Sequence, residues 1–229
     1  LWKVVDQGLQ IAAGCGYMKE YPYERLMRDA RINLIFEGTN EILRAFIALA
    51  GIRGPSENLA KLGKIADVSK FLQDPVKSLG VLTDFGTDRI SKLLGGTNLT
   101  KAHPRLSDFA NYFSDMLSEF ALQVDRTLIK YKKSIIDFEL PQGRLANMAI
   151  ELYVYIAVLS RSTSIFENDS IDDKMKDYVF DLTSYICTQS RYRFIGELKG
   201  MSKNSDETVK NISDKVCELG GYGLEIVDY

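Results

Sequence analysis

With 229 residues, 45% of them hydrophobic, the chain carries enough apolar material for one large core or two small ones, and a disordered polymer is excluded. Basic and acidic residues nearly cancel, 29 against 31 for a formal charge of −2 at pH 7, so no global electrostatic attraction toward nucleic acid exists. Three distant cysteines (Cys15, Cys187 and Cys217), no CxxC pair and a single histidine exclude a disulfide framework and a zinc site, and point to a reducing compartment.

In chain order, Val4, Val5, Leu9, Ile11 and Ala12 follow helical spacing, with Gly14-Cys15-Gly16 expected to end that helix. The opening residues read as a helix entered part-way, so a preceding segment is expected. Pro22 suits a first helical turn, Glu24 complements a helix N-terminus, and Leu26, Met27, Ala30 and Ile32 make an apolar face. Arg25, Arg28 and Arg31 lie three apart among Glu24 and Asp29; structural ion pairs are the expectation, over a phosphate-binding ridge.

Leu34-Ile35-Phe36 then runs into Glu37-Gly38-Thr39. Thr39 is the expected N-cap of a third helix carrying Ile42, Leu43, Phe46, Ile47, Leu49 and Ala50, expected to be buried on most sides and to stop at Gly51. A carboxylate at Glu37, against that apolar run, is expected to be partly desolvated, which raises a pKa; the adjacent helix N-terminus lowers it, and the residues alone leave the sign open. They equally leave open a capping or solvated carboxylate and a general base.

Gly54-Pro55-Ser56 is a break signal, followed by an amphipathic helix over Leu59 to Leu72 and a glycine-interrupted stretch from Val76 to Lys101, the segment expected to be most mobile. His103-Pro104 opens a long helix from Leu106 to Ile135, and Pro141 opens another, to about Leu159. Two more are expected over about Ile171–Glu197 and Ser205–Leu219. There is no two-residue alternation between turns and no uninterrupted apolar run of about 18 residues. The fold expectation is all-α: an up-and-down helical bundle followed by a second one, divided as 1–54, a connection over 55–101, and 102–229. Cys15, with no histidine beside it, is read as a packing residue.

Three ordered blocks carry more information than any spacing: Gln10-Ile11-Ala12-Ala13-Gly14-Cys15-Gly16-Tyr17, Tyr21-Pro22-Tyr23-Glu24-Arg25 with Arg28-Asp29-Ala30-Arg31, and Ile35-Phe36-Glu37-Gly38-Thr39-Asn40-Glu41-Ile42. Together they resemble the C-terminal helical domain of acyl-CoA dehydrogenases. Ala102-His103-Pro104-Arg105-Leu106, Leu128-Ile129-Lys130-Tyr131-Lys132-Lys133 and Val158-Leu159-Ser160-Arg161 resemble the extra C-terminal region of the very-long-chain branch, which includes a relative serving in respiratory complex I assembly.

The resemblance implies a mitochondrial FAD enzyme, in the matrix or on the inner membrane, that oxidises long or very long fatty acyl-CoA to the trans-2-enoyl-CoA and passes electrons to electron-transfer flavoprotein. It implies that the fragment alone is inactive and that the alternative role is a scaffold for assembling a respiratory complex. Glu37 falls on the catalytic base, which takes the proton alpha to the thioester while a hydride leaves the beta carbon. Gly38 falls beside substrate, Thr39, Asn40 and Glu41 near the flavin, and Gln10, Ile11, Ala12, Ala13 and Gly14 on the segment that reaches FAD held by another subunit, implying a homodimer. Ala12-Ala13 departs from the family's more usual bulky residue followed by glycine. A peripheral inner-membrane contact is implied for 57–96, although Lys61, Lys64, Lys70, Lys77, Arg89 and Lys92 are offset by Glu57, Asp67, Asp74, Asp84 and Asp88. No metal is implied.

Overall fold

A computed structural model describes residues 1–65, 99 and 101–221, without the side chains of 57–65. Among the described residues every regular element is helical, with eight α-helices and three short 3-10 turns and no strand. The chain divides into two compact units, Leu1–Ala50 and Gly51–Tyr229. Most of the amphipathic and glycine-interrupted stretch expected between 59 and 101, and with it the membrane contact expected over 57–96, lies outside the described residues or side chains.

The first unit comprises α1 (Trp2–Ile11), α2 (Ala13–Tyr17), α3 (Tyr23–Arg31), a 3-10 turn (Ile32–Leu34) and the start of α4 (Asn40–Ile65). Arg31 sits over the Trp2 ring at 5.5 Å, joining α3 to α1 by a cation–π contact, and Arg28 pairs with Glu24 at 3.1 Å as its four-residue spacing predicts. Two sequence expectations fail here. The first helix ends at Ile11 instead of running to Gly14-Cys15-Gly16, because the backbone breaks at Ala12 and Ala13 takes φ +50°. Gly16 serves close approach: a Cβ there would lie 2.3 Å from the Leu9 carbonyl oxygen. Cys15, expected to pack, is exposed.

The third helix also departs from expectation. It continues through Gly51, Gly54 and Pro55 to Ile65. Proline removes one hydrogen bond, but helix-forming residues on both sides outweigh a single local cost, and the Ser56 hydroxyl donates to the Arg53 carbonyl at 2.7 Å beside the gap. Its apolar stripe is open, with Ile42 and Phe46 exposed while Ala48 is buried. A unit of this size has too little material to cover a wide apolar face.

The second unit is built on α5 (Ser107–Tyr131), α6 (Glu139–Phe166), α7 (Asp173–Gly200) and α8 (Asp206–Leu219). His103 opens it as expected, its Nδ1 accepting the Arg105 N–H at 3.3 Å ahead of a 3-10 turn over Pro104–Leu106. The long helix stops at Tyr131, short of Ile135, because Lys132 takes φ +51°; the chain tightens into a 3-10 stretch, Lys132–Asp137. Buried Gln142 caps that stretch, its Nε2 donating to the Ile135 and Ile136 carbonyls at 2.7 and 3.1 Å.

By length and composition α6 could cross a membrane. In this structure it is the core helix, burying Leu145, Met148, Leu152, Tyr155 and Leu159, and it runs antiparallel to α7. Polar pairs cross the seam between them. Ser162 and Thr183 hydroxyls meet at 2.6 Å, and since Thr183 donates to the Val179 carbonyl at 2.7 Å, Ser162 is the donor in that pair. Ser190 donates to Glu151 at 2.7 Å, Arg193 pairs with Glu151 at 2.6 Å, and Asn147 donates to Glu197 at 2.9 Å. At the far end Arg144 passes Gly200 and binds Asp206 through two bonds of 2.6 and 2.5 Å, tying α8 to α6. At the other end Arg105 pairs with Asp177 at 2.7 Å and lies over Phe166 and Phe180.

Hydrogen bonding to Arg144 holds the Asp206 carboxyl below its ordinary 3.8. A carboxyl lowered by folding contributes stability that is complete above the unfolded pKa and lost as pH falls through the lowered one. Asp206→Asn is therefore expected to cost about 2 kcal/mol at neutral pH in urea unfolding, and its deficit relative to the parent chain should shrink below about pH 4. A second outcome concerns the thiols. Cys187 is buried and desolvation pushes it up to about 11, against a smaller opposing pull from the Tyr155 hydroxyl, whereas Cys15 and Cys217 are exposed. Ellman titration of the native chain at pH 8 should count two fast thiols, with the third appearing only in denaturant.

Candidate active site

Two local backbone devices in the first unit hold the residues singled out from sequence. The first is the junction of α1 and α2. Gln10, Ile11, Ala13 and Gly14 are exposed and Ala12 is half-buried, so the segment is open to solvent and narrows to short side chains at Ala12–Gly14. A Cβ at Gly14 would meet nothing within 4 Å, which leaves room for a ligand to approach the backbone. Ala13 occupies a left-handed conformation that glycine accepts and an L-residue resists at roughly 1–2 kcal/mol. That is the position where the resemblance leads one to expect glycine.

The second device is the turn into α4. After the 3-10 turn Phe36 N–H donates to the Ile32 carbonyl at 3.0 Å; the chain then reverses through Glu37 at φ +57° and Gly38 at φ +106°. At Gly38 backbone conformation is the constraint, since an added Cβ would meet Leu43 only at ordinary contact distance. Thr39 is the N-cap the sequence predicts: its Oγ1 accepts from the Ile42 N–H at 3.5 Å and its carbonyl from the Leu43 N–H at 2.9 Å. The Glu41 carboxyl is held below its usual range, first by its own backbone N–H, then by the Thr39 hydroxyl, with Arg44 and Arg31 adding smaller attractions.

Glu37 itself is exposed, and so are Ile35 and Phe36, about half open. The partial desolvation expected of Glu37 is therefore not supplied by this chain alone. The left-handed turn leaves the carboxylate open to solvent, and the apolar run that precedes it is open too, with Leu34 half-buried and Ile35 and Phe36 exposed. The structure thus collects Glu37, Gly38, Thr39, Asn40 and Glu41 at one helix opening and Gln10 to Gly14 at another junction of the same unit. Sequence reasoning missed the cation–π contact of Arg31 with Trp2, whose only signal was an arginine on the helix facing the lone tryptophan, and the capping of α3 by Asn33, whose Nδ2 donates to the Asp29 and Ala30 carbonyls at 3.1 and 3.3 Å.

The description "ACAD9/ACADV, C-terminal domain" matches residues 104–222, and "Acyl-CoA dehydrogenase, C-terminal domain" matches residues 1–51. The chain belongs to the acyl-CoA dehydrogenase family. It is 39% identical over 232 residues to the very long-chain specific acyl-CoA dehydrogenase, mitochondrial, of Rattus norvegicus, covering 96% of this chain and 34% of that protein, and 39% identical over 230 residues to the Bos taurus protein of the same name, with the same coverage. A probable acyl-CoA dehydrogenase of Bacillus subtilis is 59% identical over 44 residues, 19% of this chain and 7% of that one. The crystal structure of an acyl-CoA dehydrogenase complexed with FAD from Bacillus anthracis shares the fold, with a TM-score of 0.59 and 19% identity over 96% of this chain and 37% of that chain. This acyl-CoA dehydrogenase chain spans about a third of the length of the mammalian relatives.

Two substitutions test the α1–α2 junction. Ala13→Gly should raise stability by about 1 kcal/mol, despite glycine's entropy, because it relieves the positive φ. Gly16→Ala should lower it by roughly 1–3 kcal/mol through the clash with the Leu9 carbonyl. Both are read from denaturant midpoints followed by fluorescence of Trp2, the chain's single tryptophan.

Proposed function

We propose that the protein carrying this chain is an FAD-dependent dehydrogenase of long or very long fatty acyl-CoA thioesters in mitochondrial fatty-acid oxidation, with Glu37 as its catalytic base. The observation that carries the reading is the turn Glu37-Gly38-Thr39, two consecutive positive-φ residues ahead of a capped helix, inside the segment matched to the family's C-terminal domain. Such a turn holds a carboxylate clear of its own backbone helix and leaves it facing outward, where it can meet a ligand.

The residues present fit the cofactor. The open space at Gly14, the exposed Gln10 amide and the N-terminus of α4 are the clearances and donors that a polar dinucleotide needs. FAD, when bound, supplies the hydride acceptor. Glu37 removes the proton alpha to the thioester carbonyl. A bound acyl-CoA would cover the open face at Phe36 and Glu37 and exclude water from it, the setting in which a carboxylate acts as a general base. Gly38, with no side chain, leaves the substrate side of the turn clear. Thr39, Asn40 and Glu41 would lie on the flavin side of the site, and Gln10 to Gly14 would help to hold FAD bound by a second subunit.

The very-long-chain assignment and the mitochondrial location rest on the names and identities of the mammalian relatives. Electron-transfer flavoprotein as acceptor follows from the same reading. The test is dye-coupled oxidation of palmitoyl-CoA and shorter homologues by the whole protein. Glu37→Gln should lower kcat by about 10³-fold or more while leaving acyl-CoA binding, measured calorimetrically, within a few-fold. Undiminished turnover in that variant would remove Glu37 from the role. An inactive parent protein whose loss still disrupts a respiratory complex would favour the scaffold role instead.

A further inference from the structure

The connection that carries Glu37 begins where α3 ends, and its first half is bonded to itself. Asn33 turns back on α3, its Nδ2 donating to the Asp29 and Ala30 carbonyls, and the Ile32 carbonyl accepts the Ile35 N–H at 2.9 Å and the Phe36 N–H at 3.0 Å. Residues 29–36 are thereby joined into one piece with the end of the helix. Glu37 follows Phe36 directly at φ +57°, and Gly38 at φ +106° hands the chain on to the cap of α4. The direction in which the Glu37 carboxylate leaves the backbone is accordingly set by the direction in which α3 points.

Burial gives α3 little purchase. Of its nine residues only Ala30 is buried, and a methyl-sized anchor leaves a short helix free to tilt. A contact at the helix end then has leverage that it would lack on a deeply buried helix. Arg31, the last residue of α3, supplies one: its guanidinium carbon lies 5.5 Å from the centroid of the half-buried Trp2 ring on α1, within the range of a cation–π attraction. Arg28, one turn earlier, pairs with Glu24 inside the same helix and so ties α3 to nothing else by that bond. On the far side of the turn Arg31 adds a slight attraction for the Glu41 carboxyl, behind that residue's own backbone N–H, the Thr39 hydroxyl and Arg44, so the one cation acts on the start of α4 as well as on α1.

We propose that Arg31 is a positioning residue for the base: lying over Trp2, it fixes the end of α3 and through it the direction in which Glu37 presents its carboxylate. The role rests on the reading of Glu37 as proton acceptor and adds to it a residue that acts through Glu37. A base displaced by about 1 Å loses turnover far more than it loses substrate affinity, which gives the role a kinetic signature.

Steady-state oxidation of palmitoyl-CoA by the whole protein, with the flavin content of each variant measured by absorbance, tests it. Arg31→Met, which keeps the side chain's reach without its charge, should lower kcat by roughly five- to tenfold with KM and flavin content within about twofold of the parent, and Arg31→Lys, which keeps a cation over the ring, should restore most of the loss. Trp2→Leu should produce the same loss, and adding it to Arg31→Met should cost little more, because both remove one contact. Should Arg31→Met fail to fold, Trp2→Leu decides, and a parental kcat there overturns the role. A parental kcat in Arg31→Met beside an inactive Glu37→Gln would overturn the positioning role and leave the base standing; so would losses that multiply in the double variant or that track flavin content. Undiminished turnover in Glu37→Gln would remove the base and this inference with it.

Discussion

The second unit depends on the seam between α6 and α7. Two long helices lie antiparallel with small hydroxyl-bearing residues facing across, and that smallness is what lets them approach closely. Ser162, Thr183 and Ser190 are buried, and their hydroxyls find partners within or across the seam, so close packing leaves no orphaned polar group. The other contacts follow from it. Arg144 reaches Asp206 because Gly200 leaves it room, and Arg105 lies over Phe166 and Phe180 because the seam brings the end of α6 beside the start of α7.

The first unit is governed by backbone conformation more than by burial. Its small core leaves Ile42, Phe46 and Phe36 open, yet its two candidate junctions are sharply defined by left-handed residues at Ala13, Glu37 and Gly38. Non-glycine residues hold such conformations only where neighbouring structure over-determines them, and they concentrate where a chain must present a group in a set direction. A carboxylate set outward at the mouth of a helix is the arrangement on which the proposed role of Glu37 rests.

Much of this was legible in the amino acids. The helical periodicities behind α3, α6, α7 and α8, the capping role of Thr39 and the opening at His103-Pro104 all follow from local chemistry, and local chemistry prevailed there. Where a local signal was weak against its surroundings it misled: Gly51, Gly54 and Pro55 announce a stop, yet α4 continues because flanking helix formers outweigh one lost bond. Ala13 could not be seen as strained, since alanine's preferences point the other way. The burial of Ser162, Thr183 and Ser190 was invisible for a related reason: such residues usually face water, and only the partner helix shows that these do not. Glu37 was legible as a candidate through the order of its neighbours, while its exposure reflects how little of the first unit stands over it.

The rungs of the α6–α7 seam, Ser162 with Thr183, Glu151 with Ser190 and Arg193, Asn147 with Glu197, and Arg144 beside Gly200, are spread over residues 144–162 of α6 and 183–200 of α7. Sliding one helix past the other by a single turn, about 5.4 Å, would break every rung at once and put hydroxyls and charges opposite apolar groups. The pair is consequently stiff against shear. A displacement of α7 along its axis is therefore opposed by all of these contacts together, so the two helices move as one piece.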